Sequence, residues 1–138
     1  MGNRAIARVV IVGGGPGGAA LGMYLARAGV RVVIFTQPKR PPILIGESLV
    51  PAIVPIIRDL GVEAEVASYS VRKTGATFCF NVAERLNIRF DDVRGGRTDY
   101  SYNVPRDRFD TTLLGAAERA GCLVVHETAH LVRSGEAD

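Results

Sequence analysis

The most regular hydrophobic pattern lies near the start of the chain. Val9-Val10-Ile11-Val12 is an unbroken run of apolar, mostly β-branched positions, which reads as a buried strand of a parallel sheet. A glycine-rich break follows from Gly13 to Gly18. Apolar positions at Leu21, Met23, Leu25 and Ala28 then fit a helix closed by Gly29. A second run, Arg31-Val32-Val33-Ile34-Phe35, completes a strand–helix–strand unit of ordinary length. Thr36 to Pro42 contains Pro38, Pro41 and Pro42, so it can be neither helix nor central strand.

Beyond that loop the period changes. Ala52 to Leu60 is amphipathic at helical spacing and ends at Gly61. Ala76 to Phe80 and Leu86 to Phe90 read as strands, with Asp91-Asp92 and Gly95-Gly96 as turns, and Tyr100 to Val104 alternates as another strand. Pro105 opens a helix whose apolar face is Phe109, Leu113, Ala116 or Ala117, and Ala120, stopped by Gly121. Leu123-Val124-Val125 and Leu131-Val132 are short strands. The order predicts an α/β chain: a Rossmann-like βαβ dinucleotide-binding fold, which the family resemblance given below makes one of the FAD-binding type, interrupted at about residues 75–104 by an inserted antiparallel β segment.

Composition narrows the class. The chain has 138 residues, 47% of them hydrophobic, enough for one domain with a core. The net charge of +3 comes from scattered basic residues not interleaved with aromatics, which argues against nucleic acid. No apolar run reaches membrane-spanning length, and Arg8 to Val12 is too short for a signal peptide. Position 6 is Ile rather than Ser or Thr, against myristoylation of Gly2. Cys79 and Cys122 form no CxxC pair, so both are expected to be buried, reduced thiols of a cytoplasmic protein.

The glycine break carries the first chemistry. Gly13-x-Gly15-x-x-Gly18 joins the strand to the helix, and each glycine has a mechanical role. Gly13 permits the tight turn, Gly15 lets a pyrophosphate approach the backbone, and Gly18 lets helix and strand pack closely. Pro16 and Gly17 complete the turn, and the helix N-terminus presents free N–H groups to an anion. Where such folds usually end the second strand with an acid for the ribose, this chain has Thr36, followed by Gln37. One hydroxyl cannot give a carboxylate's bidentate grip. With Lys39-Arg40 close behind, the site is open to FAD or to the 2′-phosphate of NADP.

Two further motifs follow: Gly46-Glu47-Ser48-Leu49-x-Pro51 and Lys73-x-Gly75-Ala76-Thr77-Phe78. Together with the glycine motif, they make the chain resemble the flavin-dependent halogenases, especially those acting on phenols or carrier-bound pyrroles. The resemblance implies FAD, a separate flavin reductase, and an aromatic small-molecule substrate, free or bound to a carrier protein. It implies a reaction that runs through reduced FAD, oxygen and hypohalous acid, with Lys73 as the catalytic lysine beside the ring. It also places Gly46, Glu47 and Ser48 at the flavin ring region. Val104-x-Arg106-x-x-Phe109-Asp110 is similar to the segment where the family returns to the flavin, which implies that Arg106 lies near the cofactor. Read on their own residue types, Ser48 is a helix cap, and Lys73 and Arg106 are solvated charges.

Family members continue for several hundred residues through a WxWxIP segment and a later Gly-Asp, whereas this sequence has no tryptophan. The expectation is therefore the N-terminal part of a truncated architecture. An aromatic hydroxylase or reductase of the same fold, and a non-catalytic dinucleotide-binding module, remain as alternatives. His126-Glu127-Thr128-Ala129-His130 matches the HExxH zinc motif in letters, but that motif needs a helix, and the flanks here read as strand. On a strand the imidazoles would stand about 13 Å apart, so no metal is expected. Asp91-Asp92 beside a turn reads as a solvated loop.

Overall fold

The computed structural model describes residues 8–37, 46–93 and 98–130. Its elements in chain order are β1 (Arg8–Val12), α1 (Pro16–Arg27), β2 (Arg31–Phe35), a 3-10 turn (Pro51–Ile53), α2 (Val54–Asp59), α3 (Glu63–Tyr69), β3 (Val71–Lys73), β4 (Gly75–Cys79), β5 (Arg85–Arg89), β6 (Ser101–Asn103), α4 (Arg106–Arg119) and β7 (Leu123–Val125). They form two compact units, one of Met1–Pro42 with Leu113–Asp138 and the other of Ile43–Thr112. Among the described residues no helix is long and apolar enough to cross a membrane.

In the first unit β1, β2 and β7 form a parallel sheet in that order, with Val10 opposite Val33 and Val33 opposite Leu123. Parallel neighbours need a crossover, and α1 supplies the one between β1 and β2. Its contact with the sheet is close because Gly22 faces Ile34 and Cys122; a Cβ there would lie 2.8 Å from the Ile34 Cδ1. Ile11, Ala19, Met23, Val32 and Ile34 are buried at this layer. The expected full burial of β1 does not hold. β1 is an edge strand, and Val10 and Val12 on its other face are 60% and 64% exposed. The run is apolar on both faces, but the second face is not covered by any described residue.

The second unit departs further from the pattern. The helix expected over Ala52 to Leu60 is split: Pro51 opens a 3-10 turn, and α2 restarts at Val54 with Pro55 in its first turn. Neither proline can donate a backbone hydrogen bond, so both sit where none is needed. Gly61, at φ +77°, closes α2, and Val62 N–H bonds back to the Ile57 carbonyl. The helix α3 follows at once, with Glu63 and Glu65 at its positive end and Val66 fully buried. Val54, Ile57, Leu60, Val62, Tyr102, Val104 and Phe109 are the other buried apolar side chains here.

The inserted β segment is antiparallel, but it consists of two separate ladders, β3 with β6 and β4 with β5. β4 and β5 keep their expected length but begin one residue earlier, β6 is shorter than the expected Tyr100 to Val104, and β3 was not expected. Pro105 directly precedes α4, and its carbonyl accepts the Phe109 N–H at 2.9 Å. Of the expected face, Phe109, Leu113, Ala116 and Ala117 are buried and Ala120 is half-buried. Cys122 is buried, and burial raises its thiol pKa, but Cys79 is exposed because its side of β4 also carries Thr77 and is not packed. Gly95-Gly96 and Leu131-Val132 lie outside the described residues.

Candidate functional site

The glycine turn takes its shape from two contacts within the first unit. Gly13 has φ +114°, a conformation L side chains rarely adopt, and its N–H bonds to the Phe35 carbonyl at 2.8 Å. A Cβ on Gly18 would lie 2.0 Å from the Gly13 carbonyl oxygen, so helix and turn approach to a distance only glycine permits. Gly15 is different. Its φ of −74° and ψ of −178° suit any residue, and a Cβ there would meet nothing within 4 Å. Nothing inside the unit requires a glycine at 15. The open space it leaves lies at the start of α1, where no side chain caps the helix and no acid stands in the first turn.

The Ala19 N–H is already bonded to the Gly15 carbonyl at 2.9 Å, so the N–H groups of Gly17 and Gly18, ahead of the first intrahelical bond, and the helix dipole face an uncluttered surface suited to an anion. This is a cradle that a Cβ would fill, and it fits the pyrophosphate of a dinucleotide. Thr36 directly follows β2; its N–H bonds to the Val125 carbonyl at 2.9 Å. Its side chain lies against Gly14, where a Cβ would come within 2.6 Å of the Thr36 Cβ. Thr36 therefore stands beside the turn, with Gln37 exposed next to it. Lys39 and Arg40 lie outside the described residues.

In the second unit the residues of the other two motifs come together around β6. Leu49 N–H bonds to the Tyr102 carbonyl at 2.9 Å, Val104 N–H bonds to the Glu47 carbonyl at 2.8 Å, and Ser48 bridges Asn103 in antiparallel fashion. Residues 47–49 thus run along one side of β6, joined to it by an isolated bridge at Ser48. On its other side β3 pairs Lys73 with Ser101. The Lys73 ammonium donates a hydrogen bond to the Ser48 hydroxyl, so the second and third motifs meet through their side chains. The expected helix-capping role of Ser48 is not what the structure shows. The turn begins after Val50, has no side-chain cap, and the serine is taken up by the lysine.

Lys73 lies in the wall of a cavity of about 420 Å³. Its apolar lining comes from Ala76, Phe78 and Ile88 of the hairpin β4–β5, from Phe90 just after it, and from Leu49 to Ala52. Ala76 pairs with Ile88 and Phe78 with Leu86, so the apolar face of the hairpin is the cavity face. Gly75 makes this pairing possible: a Cβ there would lie 2.5 Å from the Ile88 carbonyl oxygen. Lys73 Nζ is 5.8 Å from the centre of the Phe90 ring, and burial lowers its pKa.

Arg106 pairs with Asp110 one helical turn on, at 3.0 Å. Its guanidinium lies beside Gly46, where a Cβ would come within 2.8 Å of Nη1. Gly46 has φ +94°, and it is this backbone conformation that calls for glycine, since the tip of the Arg106 side chain could swing aside. Two groups escaped the sequence reading. Phe90 and Ile88 line the cavity, and the alternation of apolar positions across the hairpin carries that signal. A second network holds Glu63 between Arg58, at 2.8 Å, and the hydroxyls of Tyr100 and Tyr102. Only the fold joins α2, α3 and β6 in this way. Burial pushes the Tyr102 phenol up to about 12.

His126 to His130 leave β7 as irregular, largely exposed chain, without the helix that the zinc motif requires. Among the described residues no three metal-binding side chains cluster. Asp91 pairs with Arg89 at 2.6 Å in an exposed turn.

The family model described as FAD binding domain matches residues 7–138. A flavin-dependent halogenase of Armillaria mellea is 32% identical over 91% of this chain and 25% of its own length. A 1H-pyrrole-2-carbonyl-[peptidyl-carrier protein] chlorinase of Pseudomonas fluorescens is 34% identical over 83% of this chain and 29% of its own. The solved structure of the myxobacterial chondrochloren halogenase superposes with a TM-score of 0.75, at 34% identity, over 86% of this chain and 28% of that one. The chain thus spans between a quarter and a third of the length of these proteins.

Proposed function

The chain belongs to the FAD-binding domain family, and from that premise we propose that it is the N-terminal part of a flavin-dependent halogenase acting on an electron-rich aromatic ring. Its cofactor is FAD. Gly13, Gly15, Pro16, Gly17 and Gly18 would hold the pyrophosphate, Thr36 and Gln37 the ribose, and Gly46, Glu47, Ser48 and Arg106 would serve the flavin ring. When bound and reduced, the flavin supplies the electrons for oxygen activation, from which halide is converted to hypohalous acid.

The observation that carries the proposal is Lys73, a partly buried ammonium in the wall of a cavity whose lining is apolar apart from it, Ser48 and Thr98. An apolar chamber suits a neutral aromatic ring and disfavours charged ones. There the ammonium donates a hydrogen bond to the oxygen of hypohalous acid. The halogen then passes to a ring carbon, the ring gives up a proton, and the oxygen leaves as water. Phe78, Ile88 and Phe90 present the ring and exclude water. The segment of residues 75–104 is thus the substrate side. The substrate is a phenol- or pyrrole-type ring, free or carrier-bound, as the name of the pyrrole chlorinase suggests. Reduced flavin comes from a separate reductase, and the protein works in the cytoplasm.

The test is product analysis of the complete protein with a reductase, FAD, NADH and halide. In Lys73→Ala, halogenated product should fall at least a hundredfold while flavin reoxidation and hypohalous acid release continue. Lys73→Arg should not restore it, because a guanidinium stays charged and presents a planar fork rather than a point donor. Hydroxylated product, or halogenation retained without the lysine, would refute the reading.

A further inference from the structure

Resting on that reading of Lys73, we propose that Ser48 is a positioning residue for it: the serine hydroxyl fixes the lysine ammonium at the cavity wall, aimed inward. The lysine stem has four rotatable bonds, and Nζ without an acceptor would sample many positions. Here it donates to the Ser48 hydroxyl. The serine is itself held by backbone on both sides of its own residue, through the Glu47 carbonyl to Val104 and the Leu49 N–H to Tyr102.

The strand pairing puts the two side chains on one face. Ser48 stands opposite Asn103, Lys73 stands opposite Ser101, and positions 101 and 103 of β6 point the same way. The root of the lysine and its acceptor are therefore both referenced to one strand, and neither can drift without breaking the pairing along β6. An ammonium has three donors. One is committed to Ser48, which leaves two for a reactant in the cavity. The Phe90 ring, 5.8 Å from Nζ, borders the same position from the hairpin. This account also supplies the reason for a serine at 48, which caps no helix.

The experiment reads the lysine directly as well as through turnover. The sequence contains only two lysines, Lys39 and Lys73. Trace acylation of the complete flavin-loaded protein at fixed pH, followed by peptide mass spectrometry, gives the reactivity of Lys73 relative to Lys39. In Ser48→Ala the ammonium loses the acceptor that ties it in place and favours its protonated form, so relative acylation of Lys73 should rise at least threefold. Halogenation kcat per bound flavin should fall at least tenfold, with KM for the aromatic within twofold. Ser48→Thr keeps the hydroxyl and should restore both values to within threefold. Ser48→Cys, close in size but a weak acceptor, should behave like Ser48→Ala, and it serves if the alanine variant does not fold. Parent-like acylation in Ser48→Ala and Ser48→Cys, or failure of Ser48→Thr to restore both values, would overturn the proposal. Labelling is independent of turnover. Halogenation retained in Lys73→Ala would instead refute the catalytic reading and leave the labelling result standing.

Discussion

Gly15 and Gly18 lie three residues apart in one motif, yet the structure assigns them opposite duties, and alanine at each should separate them. At Gly18 a Cβ would sit 2.0 Å from the Gly13 carbonyl oxygen. Ordinary contact requires about 3.4 Å, so the two backbones must part by more than an ångström. Neither can yield by rotating a side chain, and overpacking of this kind costs about 3 kcal/mol or more. At Gly15 the same Cβ meets nothing within 4 Å, and the backbone angles are ordinary. Alanine is a poorer N-cap than glycine, but it also restricts the unfolded chain. These effects oppose each other, and the net change should stay within about 1 kcal/mol. The space that this methyl occupies is the face offered to the pyrophosphate, so FAD affinity should drop at least tenfold, about 1.4 kcal/mol. Urea unfolding of the flavin-free protein measures the first quantity, and quenching of flavin fluorescence measures the second. Gly18→Ala should lose stability, whereas Gly15→Ala should lose FAD at nearly unchanged stability. Normal FAD affinity in Gly15→Ala, or parent stability in Gly18→Ala, would refute this division.

Thr36→Glu should tighten FAD several-fold by calorimetric titration, since a carboxylate replaces a single hydroxyl at the end of β2, and NADP binding should not improve. Glu63 gives a pH signature. Its hydrogen bond from Arg58 comes first among the causes that hold its carboxyl below the ordinary value of 4.5, with the tyrosine hydroxyls adding to it. A lowered folded pKa means stability that is present above the unfolded value and lost as pH falls through the folded one. Chemical unfolding followed from pH 7 to pH 3 should therefore show a decline below about 4.5 that is shallower in Glu63→Gln, a variant on the order of 1 kcal/mol less stable at neutral pH.

Much of the nucleotide-binding half could be read directly from the chain. Val9 to Val12, the three motif glycines and Arg31 to Phe35 are local signals, because strand, turn and helix propensity all reside in consecutive residues. They agree with one another, and β1, α1 and β2 form as they predict. The helix α4 was equally legible, since its apolar positions keep the helical period. Solvation was not: the apolar run of β1 has the composition of a doubly buried strand, but burial depends on what covers the second face, and Val10 and Val12 stay exposed.

Tertiary structure alone decided the candidate chamber. Nothing in the spacing of Ser48 and Lys73 says that they touch, 25 residues apart. They meet because β6 pairs with residues on both sides, and such long-range pairing is written in no single segment. The same holds for Phe90, which becomes a cavity wall only once the hairpin register sends Ala76, Phe78, Ile88 and Phe90 to one face. It holds for Glu63, whose partners come from α2 and β6. Sequence specified the residue types and the local turns. Strand register, which flips or keeps every side chain on a face together, decided which of those residues share a site.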